Sequence, residues 1–278
     1  MRRLFYLKFC FYMTICGFLS TKSYSQSSAE SWALGGTTLN AGLSQFSPSM
    51  FFPDEKKGCF FHFIHNNLYS LKELNTFKGE IKLSSSSIAT TLAFSSFGYI
   101  HYRTNTLSFA LAKLLTDQFC LGISSDWENT RYSGANHHPK AVRISIDGAW
   151  YSHQKNFLLY GKVTHRFMPK HSKNHLSSKN RNQCLLGFCL KTSTSSRWLL
   201  EAKVLDFNRF SGHTGFEYII KNFSLRLGCM GLPIRPTYGV GFKFKEMNFN
   251  IGSNWTTLLG HSFSFDISYT LKYNNRKK

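Results

Sequence analysis

The sequence predicts an all-β protein: a transmembrane antiparallel β-barrel of about fourteen strands, within a range of about 12–14, with an N-terminal plug segment. Three observations carry this. Apolar and polar residues alternate with period two in segment after segment. Aromatic residues are abundant at 16% while charged residues are scarce at 17%, well below the roughly 25% of an ordinary soluble domain. No apolar run reaches the ~20 residues a membrane-crossing helix needs. The apolar content of 42% also excludes a disordered chain.

The clearest segment is the last. Phe263, Phe265, Ile267, Tyr269, Leu271 and Tyr273 alternate with Ser264, Asp266, Ser268, Thr270 and Lys272, giving a strand with one apolar and one polar face. Its length suits a tilted membrane strand of ~9–11 residues better than a soluble strand of about 5–6. The same pattern marks 77–83, 142–150, 223–229 and 238–245. Weaker alternation marks 58–65, 86–95, 106–113, 117–127, 156–167, 182–191, 196–206, 211–221 and 246–255. The barrel therefore occupies residues 58–273.

In a closed barrel the polar face of each strand meets the lumen and the aromatic face meets lipid. Arg143, Asp147, Glu201, Arg226 and Asp266 are the candidate lumen charges, lining a conduction path or pairing wall to wall. Trp127, Trp150, Trp198 and Trp255 fall near segment ends, where interfacial girdles form. A secreted soluble β-sandwich that binds a surface glycan would alternate as well and remains an alternative.

The ends of the chain give an address. Arg2, Arg3 and Lys8 precede the eleven-residue apolar stretch Phe9–Leu19, and Ser23 and Ser25 supply small residues for cleavage. Residues 1–25 read as a secretory signal peptide. Residues 26–57 do not alternate and carry Gly35, Gly36, Gly42, Pro48 and Pro53; they read as an irregular plug or periplasmic segment. Residues 274–278 form a basic tail, and 168–181 a basic loop. The formal charge is +20. In an exported chain its partners are outer-membrane lipid and lipopolysaccharide phosphates and not nucleic acid.

Little in the sequence points to covalent chemistry. Cys59, Cys120, Cys184, Cys189 and Cys229 follow the signal peptide without a CxxC pair, and read as small apolar wall residues. His171 and His175 lack the intervening Glu of a zinc-protease helix. Ser211 and His213 read as a surface turn. No enzyme activity, cofactor, metal or catalytic residue is expected.

Trp32-Ala33-Leu34-Gly35-Gly36 resembles the Ala-Leu-Gly-Gly opening of outer-membrane barrels of the FadL-like long-chain fatty-acid transporter type. Ser47-Pro48-Ser49 stands where those proteins carry Asn-Pro-Ala. Gly98-Tyr99-Ile100-His101-Tyr102-Arg103, Leu121-Gly122 and Leu259-Gly260 are similar to a Bacteroidetes branch that includes accessory barrels of the type IX secretion system. The resemblance implies an outer-membrane barrel with Trp32, Leu34, Gly35, Gly36 and Pro48 in a hatch running from Trp32 to Ser49. It implies passage or capture of small hydrophobic compounds, or else an accessory barrel that docks a secretion or surface-assembly partner.

Overall fold

The computed structural model describes residues 28–37, 58–133, 139–154, 156–167, 181–206, 209–231, 234–257 and 259–272. The signal peptide, Pro48 and the tail at 274–278 lie outside these residues. A short helix, α1 (Ala29–Ala33), precedes fourteen strands. They are β1 (Gly58–Asn67), β2 (Asn75–Ser84), β3 (Ile88–Tyr99), β4 (Tyr102–Thr116), β5 (Phe119–Tyr132), β6 (Lys140–Tyr151) and β7 (Phe157–Phe167). The second half is β8 (Arg181–Lys191), β9 (Ser196–Leu205), β10 (Arg209–Ile220), β11 (Phe223–Met230), β12 (Arg235–Phe244), β13 (Met247–Thr256) and β14 (Gly260–Lys272).

Each strand pairs antiparallel with its sequence neighbours, and β1 pairs with β14 to close the barrel. The closing register runs from Gly58 opposite Lys272 to Asn67 opposite Phe263. Period two then decides which side chains face in. On β2, Lys78 and Lys82 are each 2% exposed, whereas Phe77 and Leu83 are 50% and 52% exposed. A one-residue slip would exchange the two sets, so the alternation itself holds the register. No helix among the described residues is long and apolar enough to cross a membrane; the strands do so instead. Their outer surface is an almost unbroken apolar band, including Ile146, Val163, Leu186, Leu227 and Ile251.

The two rims differ. At one, every connection between described strands is short: 85–87, 117–118, 152–156, 192–195, 221–222 and 245–246. The other carries the longer connections 68–74, 133–139 and 168–180. In bacterial barrels short turns are periplasmic and longer loops face the cell exterior. Trp150 and Trp198 lie close to the short-turn rim, and Trp127 and Trp255 lie toward the other; all four face outward. Two aromatic girdles result.

Two sequence expectations change. Residues 28–37, read as irregular and left between lumen and periplasm, contain α1 and sit inside the barrel. The helix is too short for its period to show. Strand β4 extends well beyond 106–113, because Arg103 and Asn105 put polar side chains on the outer face near the rim and so hide the alternation there. The five cysteines are unpaired in the structure, with Cys120 and Cys189 buried and Cys184 on the opposite face of β8 from Cys189.

A lipid-facing wall makes a specific demand. Ile146→Lys, at an outward position of β6, should destabilise the refolded barrel by about 2–4 kcal/mol, read by urea titration in lipid vesicles. A wall facing water would tolerate the change.

Candidate functional site: the plug and the inner wall

Ser28 starts α1, its hydroxyl accepting the Ser31 N–H at 3.1 Å. The helix ends because Gly35 and Gly36 adopt φ of +73° and +71°, a region that L side chains avoid. The chain folds back on itself: the Gly36 N–H reaches the Ser31 carbonyl at 2.8 Å, and the Ser31 hydroxyl donates to the Thr37 carbonyl at 2.7 Å. A five-residue helix has no independent stability. The wall must hold it, and four features of the wall do.

The first is a track of glycines. Gly215 and Gly228 lie opposite each other on β10 and β11, and Gly239 and Gly252 on β12 and β13. A Cβ on Gly252 would strike the Ala29 carbonyl, and one on Gly239 would strike the Ala33 side chain. Side chains on Gly228 and Gly215 would strike the backbone at Leu34 and Gly35. The plug backbone therefore lies directly on the wall backbone across four strands.

The second feature is a set of polar clasps along the track. Asp266 accepts the Ala29 N–H at 2.9 Å and the Glu30 N–H at 3.4 Å. The Thr237 hydroxyl accepts the Gly35 N–H at 2.9 Å and donates to the Ala33 carbonyl at 3.1 Å. His213 Nδ1 is 2.7 Å from the Gly35 carbonyl, and its Nε2 is 2.7 Å from the Ser211 hydroxyl. A carbonyl only accepts, so Nδ1 carries the proton and Nε2 accepts from Ser211. The surface-turn reading of Ser211 and His213 is thus corrected. Both lie on β10, and His213 is buried against the plug.

The third feature is charge. Glu30 of the plug meets Arg197 at 3.1 Å and Arg226 at 3.4 Å. The same two guanidiniums share Glu217, with Arg226 Nε at 2.7 Å and Arg197 Nε hydrogen-bonded beside it. Arg226 also donates to Asn250 at 2.8 Å, and Asn250 donates to Asp266 at 2.7 Å. Asp266 in turn lies 3.6 Å from His62. Enclosure in the lumen pushes the Glu30 carboxyl up from its ordinary value, against the downward pull of Arg226 and Arg197. Removing one member of so buried a network leaves a charge without its partner, which typically costs about 3–5 kcal/mol.

The fourth feature is apolar. Trp32 is fully buried and packs with Leu68 and Met230, flanked by Tyr69, Leu74 and Phe97. These come from the longer-loop rim, where the connection from β1 to β2 turns inward and its Tyr69 N–H reaches the Ser262 hydroxyl at 2.9 Å. Leu34 joins a separate cluster on the inner wall of β3–β9, among them Ala149, Tyr160, Leu185 and Leu199. An apolar patch of the inner wall therefore adjoins the plug at Leu34. The sequence reading missed these residues. Their signal was the weakness of alternation itself, since Leu158-Leu159-Tyr160, Leu185-Leu186 and Leu199-Leu200 put apolar groups on both faces.

The candidate lumen charges divide accordingly. Arg226 and Asp266 come together at the plug through Asn250. Arg143 and Asp147 belong to a second group on β5–β7, where Arg143 meets Asp126 at 3.3 Å and Asp147 stands opposite Lys162. Arg166 pairs with both Glu128 oxygens at 3.0 and 3.1 Å in the same region. Glu201, on β9, stands opposite His213. Trp32, Leu34 and Gly35 are all buried in the plug, Gly36 closes its turn, and Pro48 lies outside the described residues. The charges Glu30, Arg197 and Glu217 were not singled out from sequence. Among the described residues no three His, Cys, Asp or Glu side chains gather as a metal site.

The glycine track is directly testable. Gly228→Val should push the plug off the wall, overpacking of this kind costing about 1–3 kcal/mol, and expose Glu30 to a Glu-specific endoprotease while the barrel stays closed. Gly79→Val, where an added Cβ meets nothing, should leave Glu30 protected.

No protein-family model matches the chain, and no curated protein matches it significantly in sequence. Solved structures do match in fold. The Pseudomonas putida toluene transporter TodX superimposes with a TM-score of 0.61 at 12% identity, over 91% of this chain and 100% of that one. A deltaS2 mutant of TodX, described as a monoaromatic hydrocarbon channel, gives 0.63 at 10% identity over 90% and 100%. A Pseudomonas aeruginosa FadL homologue gives 0.58 at 10% identity over 89% and 98%. At such identities the likeness is one of fold, and the fold is that of the FadL-type outer-membrane barrels.

Proposed function

We propose that this chain resides in the outer membrane, exported by residues 1–25, and passes small hydrophobic compounds through its lumen. The observation that carries the reading is the plug itself, a segment held against the wall by replaceable contacts and bordered by the apolar surface around Leu34. A compound entering along Tyr160, Leu185 and Leu199 would compete for the surface that Leu34 covers. Displacement of the plug, without covalent chemistry, would then open the path. The hydrophobic cargo named for TodX supports the same direction. Arg143, Asp147 and Glu201 serve in this reading as wall-to-wall partners that keep the barrel rigid while the plug moves.

The test is uptake of a radiolabelled monoaromatic hydrocarbon by porin-deficient cells, paired with planar-bilayer recording. Expression should accelerate uptake over the empty vector, and deletion of residues 32–49 should raise single-channel conductance. Unchanged uptake together with unchanged current would overturn the proposal. Stable co-purification with a secretion partner, without uptake, would instead favour an accessory barrel of the type IX kind.

A further inference from the structure

At the longer-loop rim, β4, β5 and β6 present a set of outward-facing side chains that the lumen does not use. Arg103 and Arg131 stand directly opposite each other across β4 and β5. One pleat toward the membrane, Asn105, Asn129 and Lys140 form the next row. Below that come Leu107, Trp127 and Val142, where the apolar band begins. Arg103, Arg131 and Lys140 are exposed.

Like charges placed opposite each other across a strand pair destabilise it. The neighbouring carboxylates give no relief. Asp126 and Glu128 point to the other face of β5, where they pair with Arg143 and Arg166. Among the described residues no carboxylate forms an ion pair with Arg103, Arg131 or Lys140. Gly98 stands opposite Arg103 on β3, so no side chain crowds the guanidinium from that direction. Lys140 and two amides thus sit one step above an interfacial tryptophan and the two arginines two steps above it, at the depth of lipid headgroups. Two guanidinium forks about 5 Å apart at their backbones match the oxygens of a single phosphate.

We propose that Arg103, Arg131 and Lys140 form a binding site for the phosphate of an outer-leaflet glycolipid of the lipid A class, with its acyl chains lying over Leu107, Trp127 and Val142. The site rests on the outer-membrane location proposed above, but not on transport. It explains why the two arginines are tolerated together, and it gives the basic surface a specific counter-charge.

The experiment is a lipid titration of the detergent-purified full chain, read by native mass spectrometry. The probes are bisphosphorylated lipid A, dephosphorylated lipid A and phosphatidylglycerol. The bisphosphorylated form should bind at least about tenfold tighter than the dephosphorylated form, each cation near a membrane surface contributing about fivefold. The triple variant R103Q/R131Q/K140Q should abolish that preference, and Lys113→Gln, at the opposite rim, should retain it. Should the triple variant fail to show heat-modifiable gel mobility, Arg131→Gln alone should lose about fivefold. Equal binding by wild type and variants, or equal binding of dephosphorylated lipid A, overturns the site. Equal competition by phosphatidylglycerol overturns its assignment to glycolipid. Binding is measured without any cargo, so failure of hydrocarbon uptake leaves this result standing or falling by itself.

Discussion

Everything in this molecule follows from the pairing of β1 with β14. In a bilayer no water is available to the N–H and C=O groups of an open sheet edge, and each unsatisfied group costs several kcal/mol. Closing the ladder removes both edges at once. Closure also divides the side chains of every strand into an inner and an outer set with no third choice. The outer set is then chosen by lipid, and it is rich in Phe, Leu, Ile and Trp. The inner set is freed from that selection and can be polar, apolar or absent, according to what the lumen holds.

Absence is the choice made beneath the plug. Gly215, Gly228, Gly239 and Gly252 weaken their strands slightly, since glycine loses the most freedom on folding. In return the backbone of residues 29–35 approaches within contact of the wall. Close approach then brings Thr237, His213 and Asp266 within hydrogen-bonding distance of the plug's own backbone. Buried ion pairs are weak evidence for stability, because desolvation offsets their attraction. Their directional geometry is better understood as positioning: Arg197 and Arg226 fork between Glu217 of the wall and Glu30 of the plug, so the helix has one seat. In the proposed mechanism this seat of glycine contacts and shared guanidiniums is left and regained while the barrel stays closed.

The barrel was legible in the sequence and the seat largely was not. Alternation on 77–83, 142–150, 223–229 and 263–273 identified β2, β6, β11 and β14, because lipid outside and polar lumen inside select opposite residues. Strands β7, β8 and β9 alternate poorly for a physical reason: Leu158, Leu185 and Leu199 face an apolar part of the lumen, so both faces carry the same chemistry. Arg226 and Asp266 could be placed inside by parity alone. Their partners could not, since Glu30 and Arg226 are separated by well over half of the chain and no local pattern encodes that meeting. The track glycines were likewise invisible, each reading as an ordinary glycine in a strand until pairing aligned them. Helix α1 spans barely more than a turn, too little for a period of 3.6 residues to register.

In the proposed mechanism the plug must leave its seat for the lumen to conduct. The most direct measurement is a reversible lock: Ala33→Cys with Thr237→Cys, in a background lacking the five cysteines that follow residue 25. These two positions are in contact across the clasp, the Thr237 hydroxyl lying 3.1 Å from the Ala33 carbonyl. Oxidation should abolish hydrocarbon flux into proteoliposomes, and a reductant should restore it in the same sample. Undiminished flux through a fully cross-linked barrel, verified on a gel, would contradict the account and place the path elsewhere than beneath α1.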